Sequence, residues 1–163
     1  MNLDHLLQSL EATSFATAIR ESTWLFPTIE TMHVLAITMT VGSILMVDVR
    51  LSNFASRDRT VTSLAAEMLP WTWTSFVLAV ATGLGLFSSH AVKYAGNFDF
   101  RVKMLLLLLA GSNMLVFHFG AYRNVLSWDA EKAPWPARLA GGVSLIIWVS
   151  VVCCGRWIGF TTS

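Results

Sequence analysis

Apolar residues run along this chain in four long blocks separated by polar connections, a pattern that predicts membrane-spanning helices. The blocks cover about 24–47, 70–92, 102–122 and 139–160. The second holds no charge between Glu67 and Lys93. At ~1.5 Å per residue its length is enough to cross a hydrocarbon core of ~30 Å. Trp24, Trp71, Trp73, Tyr94, Tyr122 and Trp157 fall near block ends, where aromatic belts belong. Ahead of the first block, Leu3, Leu6, Leu7 and Leu10 recur at helical spacing among Asp4, Gln8 and Glu11. This predicts an amphipathic helix over about 3–20 lying on the membrane surface. The opening residues have no basic start, continuous apolar core or small-residue cleavage site of a secretory signal. The expected fold class is therefore all-α: an integral membrane four-helix bundle with an N-terminal amphipathic interfacial helix, one membrane domain over 1–163.

The connections sharpen this picture. The first and third carry Arg50, Arg57, Arg59, Arg123, Lys132 and Arg138. The side that holds the termini carries Arg20, Lys93, Arg101, Lys103 and Arg156. The excess of one residue leans toward both termini outside. Within the second block Ser75, Ala79 and Gly83 repeat every four residues, the small-residue spacing that lets membrane helices approach closely.

Composition excludes more than it selects. Of 163 residues 55% are hydrophobic and 13% charged, about half the ~25% charged share of a soluble domain. A formal net charge of +1 argues against a nucleic-acid surface, which needs a basic stripe. Cys153 and Cys154 are adjacent in an apolar run and read as membrane-core thiols. No nucleophile elbow, zinc-protease helix or phosphate loop is present, so no catalytic residue is assigned. Glu30 and His33 have the i, i+3 spacing of di-iron bundles, but those require two such motifs.

The chemistry-bearing residues lie inside the apolar blocks. Glu30 and His33 share one face of the first helix. Ionisable groups cost roughly 2.5–3.5 kcal/mol each in hydrocarbon on insertion scales, so they persist where they face a partner or a polar cavity. Alternating helix direction puts Glu30, His33, His90, Lys103 and Arg156 in the half of the bundle that bears the termini, the expected place of a functional pocket. Arg156 is the expected counter-charge for Glu30. Histidines on helices also hold b-type haem. His33 and His90 are the candidate ligands, with Glu30, Lys103 and Arg156 tuning charge or binding the propionates. Gly83 stands seven residues before His90, and Gly111 seven before His118, so each glycine would leave room for a flat macrocycle. His118 belongs near the opposite side, with Met46 as a conceivable partner. A copper site using the same histidines with Met32 or Met39 is a further alternative.

Trp24-x-x-Pro27-x-x-Glu30-x-x-His33, then Gly42 and Asp48-Val-Arg50, resembles the opening of a domain-of-unknown-function family of small bacterial four-helix membrane proteins. The likeness continues through Leu69-Pro70-Trp71, Thr82-Gly83, Lys103, Phe117-His118 and Gly155-Arg156-Trp157-Ile158. It implies the fold and a bacterial inner-membrane location, and supplies no reaction. A looser likeness to cytochrome b-like bundles and copper-resistance membrane proteins rests on architecture and histidines alone.

Two functional readings remain open. One is a small electron-transfer or redox-accessory protein holding haem b. The alternative is a cofactor-free binding or transport accessory subunit, or a scaffold, with a polar Glu/His/Arg pocket. The expected partners are the lipid bilayer and another membrane protein or redox partner, with no nucleic acid.

Overall fold

The computed structural model describes residues 3–54, 58–129 and 132–161. Arg57, counted above in the first connection, lies outside the described residues. The described chain is all-helical. Its elements are α1 (Leu3–Glu11), α2 (Ser14–Glu21), α3 (Leu25–Leu51), α4 (Val61–Ser89), α5 (Ala91–Gly96), α6 (Phe98–Phe119), a 3₁₀ helix (Ala121–Ser127) and α7 (Trp135–Thr161). Four of them, α3, α4, α6 and α7, are long and apolar enough to cross a membrane. The protein is an integral, multi-pass membrane protein.

Local chemistry sets the boundaries. The amphipathic stretch over 3–20 is two helices, because Thr13 breaks it and caps the second by accepting from the Ala16 amide at 3.3 Å. The second span starts at Val61, well before Pro70. Thr60 caps it through the Ser63 amide at 3.1 Å, and Pro70 is carried inside the helix. A proline that reads as a helix opening is here an interior residue of a spanning helix, a position membrane bundles tolerate. Asn97 caps α6 through the Phe100 amide at 3.0 Å. At the end of α3 the chain turns with Asn53 at φ 57°. The Phe54 amide donates to the Val49 carbonyl and the Asn53 amide to the Arg50 carbonyl, which closes the helix in a Schellman turn.

Packing runs in the order α4, α3, α7, α6. Helices α3 and α4 form one antiparallel hairpin, α6 and α7 a second, and α3 meets α7 along the seam between them. The α3–α4 contact is a ladder of polar rungs. His33 bonds Thr82 at 3.0 Å, Thr40 bonds Ser75 at 2.9 Å and Ser43 bonds Thr72 at 2.8 Å. Ser75 and Ala79 are buried in that contact, so the small-residue face of α4 does let the backbones close up. By contrast α6 buries no residue among those described. Its Leu105, Leu108, Leu115 and Val116 point outward, as a lipid-facing helix requires.

The short helices α1 and α2 fold across the end of the bundle that bears the termini. Ala16 and Ile19 are buried there. Arg20 donates to the carbonyls of Ser89 and Glu11, each at 3.3 Å. Glu11 Oε1 accepts from the Val92 amide at 2.9 Å, tying α1 to the first turn of α5. This end therefore carries a helical lid.

Candidate functional site

His33 is half-buried in the lidded half. Its imidazole meets α4 where Gly83 has no side chain: a Cβ on Gly83 would fall 2.9 Å from His33 Cε1. The same ring bonds Thr82 Oγ1 through Nδ1. Gly83 thus makes room for a histidine from the neighbouring helix. The space beside Gly83 is filled by the His33 ring in this structure.

Lys103 approaches the same place from α6. It lies within electrostatic reach of the His33 imidazole. Its Nζ is 3.8 Å from where a Cβ on Gly155 would stand, and Cys154 acts on it electrostatically. Helix α7 is thus thinned by a glycine where the lysine crosses it. Among the described residues Lys103 has neither an ion pair nor a hydrogen bond. Side chains from three of the four spanning helices, His33, Thr82 and Lys103, converge in the lidded half, and a fourth helix supplies the glycine.

His90 is close in sequence to Gly83 but not in space. It forms the junction of α4 and α5, bonds Ser89 Oγ at 3.0 Å, and stands edge-on to Phe26 and Tyr94 with ring centroids 6.2 and 6.4 Å away. Two helical turns of α4, ~10 Å at ~1.5 Å per residue, separate it from the turn that His33 touches. The pairing of His90 with Phe26, two turns before His33 on α3, gives the same offset. Ligands to one iron must each lie a bond length from it, so the structure does not bring His33 and His90 together as a haem pair. His118 is exposed near the other end, stacked on Tyr122 at 5.6 Å. No group of three histidine, cysteine or acidic side chains stands together as a metal site among the described residues.

Glu30 and Arg156 also part company. Arg156 is exposed, with its guanidinium 4.8 Å above the Phe160 ring, and no ion pair joins it to Glu30 among the described residues. Glu30 is exposed on the side of Tyr94 instead. Burial first, and then the charge of Glu30, push the Tyr94 phenol above its ordinary range. Among the described residues the two charges do not pair, which helix spacing alone does not reveal.

The family model for DUF6644, a family of unknown function, matches residues 11–161. The chain belongs to that family. No curated protein and no solved structure matches it. The DUF6644 match spans both ends of the bundle and brings no reaction with it.

At the end opposite the lid, sequence reasoning passes over the most buried cation among the described residues of this DUF6644 chain. Arg50 is 1% exposed. Its Nε donates to the Arg59 carbonyl at 2.6 Å, Nη2 to the Asp129 carbonyl at 3.1 Å and Nη1 to Asn53 Oδ1 at 3.5 Å. Asn53 in turn makes two bonds to the Ala133 backbone, at 3.2 and 3.3 Å. The Asp129 carboxylate takes the Thr62 amide at 3.0 Å and its hydroxyl as well. Around these bonds Leu51, Val61, Val125, Trp128, Ala133 and Ala137 form an apolar cluster. The signal available in the sequence is Asp48-Val-Arg50 at the end of an apolar run, which reads equally well as a helix boundary.

Proposed function

We propose that this protein is a cofactor-free binding or transport accessory of the bacterial inner membrane, with a small anion as the ligand of its lidded site. The observation that carries the reading is Lys103. A lysine within electrostatic reach of His33, with no carboxylate paired to it among the described residues, leaves a positive charge for a ligand to neutralise. An intramembrane cation without a protein counter-charge is a functional group by default. His33 and the Thr82 hydroxyl supply hydrogen-bonding groups beside it, and imidazole adds a proton that can move near neutral pH. Helices α1 and α2 pack across this end of the bundle. The haem reading lacks this kind of support, because its two histidines stand two turns apart.

The test uses the full chain purified in detergent. Chloride, phosphate, acetate and a dicarboxylate are titrated while thermal unfolding is followed, for wild type and for Lys103→Met. At least one anion should raise the melting temperature of the wild type and leave Lys103→Met unmoved. A response identical in both proteins, or none to any anion, overturns the reading. Oxidised and dithionite-reduced optical spectra, after expression with ample haem, should be featureless. A stoichiometric reduced α band would restore the haem alternative.

A further inference from the structure

A second ionisable group, independent of the lidded site, is enclosed in the seam between α3 and α7. Asp48 is 6% exposed. Its Oδ2 is fully covered and has no hydrogen-bond partner among the described residues. Ser144 of α7 presents a hydroxyl near the carboxyl. The two helices are tightly packed at this level: a Cβ on Gly141 would lie 2.9 Å from the Asp48 backbone carbonyl oxygen and 3.0 Å from Leu51 Cβ. Ser52 is close by, but its hydroxyl donates to the Asp48 backbone carbonyl at 2.8 Å.

The charged groups on the surrounding elements are engaged elsewhere. Arg50, two residues further along α3, is directed to Asn53 and the carbonyls of Arg59 and Asp129. On α7, Arg138 is exposed in the first turn. On α4, Glu67 pairs with Arg59. In the connection ahead of α7, Asp129 holds Thr62. A bare carboxylate enclosed in this way is among the costliest groups a membrane bundle can bury. A hard metal cation would neutralise it but needs several oxygen ligands, and one side-chain hydroxyl is on offer. A single proton meets the requirement, since it removes the charge and turns one carboxyl oxygen into a donor.

We propose that Asp48 is a membrane-buried proton-binding site, its carboxyl protonated in the packed bundle and exchanging that proton with water when α3 and α7 part. The site lies in the half of the bundle away from the lid and does not depend on an anion at Lys103. It gives the protein a group through which proton occupancy and the α3–α7 contact are linked.

Infrared difference spectroscopy on the full chain in lipid nanodiscs tests this, with isotope-labelled aspartate to identify the band. The wild type should show a protonated-carboxyl stretch at neutral pH that shifts with the label and in D₂O and bleaches in alkali. Asp48→Asn should lack the band while keeping its helical circular dichroism. Asp48→Glu should retain a carboxyl band that no longer responds to labelled aspartate, which serves if the asparagine variant does not fold. Absence of the band in the wild type, its survival in Asp48→Asn, or indifference to both D₂O and alkali overturns the proposal. Stabilisation by sodium over choline that is lost in Asp48→Asn, without a carboxyl band, would make the site a cation site and equally overturn it.

Discussion

Arg50 and Lys103 are both basic side chains near the ends of spanning helices, and their surroundings differ at every level. Arg50 directs its guanidinium to two backbone carbonyls and Asn53, and is 1% exposed. Lys103 makes no hydrogen bond or ion pair among the described residues and lies within electrostatic reach of an imidazole. The planar, many-donor guanidinium suits a junction of several carbonyls. The ammonium is a compact charge that a ligand can approach. Around Arg50 two connections are fastened by side chains that satisfy backbone groups. Around Lys103 two short helices cover the end, held by Arg20 and Glu11 through backbone contacts. One end is fastened by a guanidinium held among carbonyls, and the other leaves its cation without a protein counter-charge among the described residues.

The sharpest way to break this comparison is Arg50→Ala. It strips the donors from two carbonyls and Asn53 and leaves a void in the most enclosed part of the molecule. Each unsatisfied buried group costs ~1–3 kcal/mol, so a loss of about 3 kcal/mol or more is expected. Urea or thermal unfolding in mild detergent measures it. Lys103→Ala, scored the same way without added anion, should change stability far less. Equal losses would dissolve the distinction between the ends.

The seam between the two hairpins gives the next effect. Gly141→Ala places a methyl 2.9 Å from the Asp48 carbonyl oxygen, a backbone atom that cannot swing aside. Alanine favours the helix over glycine by ~1 kcal/mol, but overpacking of this kind costs ~1–3 kcal/mol. The net result should be destabilisation of about 1 kcal/mol, seen as a lower unfolding midpoint, with the hairpins displaced from each other. A neutral or stabilising Gly141→Ala would show that α3 and α7 do not meet this closely.

Much of this architecture can be read from the chain, and the part that cannot has a definite physical cause. Hydropathy finds four spans because lipid demands long apolar helices whatever the partners are. Small residues at Ser75, Ala79 and Gly83 mark the α4 face that meets α3, since close approach needs them. The second span's start is obscured by Pro70, which signals a helix opening by local rules and is overruled by the Thr60 cap further back. Alternating helix direction places Glu30, His33, His90, Lys103 and Arg156 at one end, yet says nothing about rotation around each axis. Rotation is what separates Glu30 from Arg156 and brings His33 to Gly83. The role of Arg50 was illegible for another reason: its acceptors are backbone carbonyls of Arg59 and Asp129, and a carbonyl leaves no trace in side-chain chemistry.

Gly83→Ala probes the lidded end with a smaller energetic signature. The added methyl would stand 2.9 Å from His33 Cε1, the far end of a side chain that can rotate. Loss of the Thr82 bond, ~1 kcal/mol, is then offset by the gain in helix propensity. Stability should stay within about 1 kcal/mol of wild type, while the imidazole resonances of His33 shift in nuclear magnetic resonance spectra. The anion response proposed for Lys103 should weaken as well. An unmoved imidazole would place the ring away from Gly83.

The smallest effect belongs to Arg59→Ala, and it separates two roles that meet in one residue. The Arg59 side chain pairs with Glu67 at the surface, where the two are 45% and 52% exposed. Ion pairs of that kind contribute ~0–1 kcal/mol. Its backbone carbonyl, meanwhile, is the acceptor of the 2.6 Å bond from Arg50, and alanine keeps that carbonyl in place. Stability should therefore fall by under ~1 kcal/mol, and the difference should vanish in high salt, where exposed charges are screened. Arg50→Ala should be insensitive to salt by the same argument, because its bonds are enclosed. If Arg59→Ala proved as damaging as Arg50→Ala, the closed end would owe its strength to the surface ion pair and not to a guanidinium held among carbonyls.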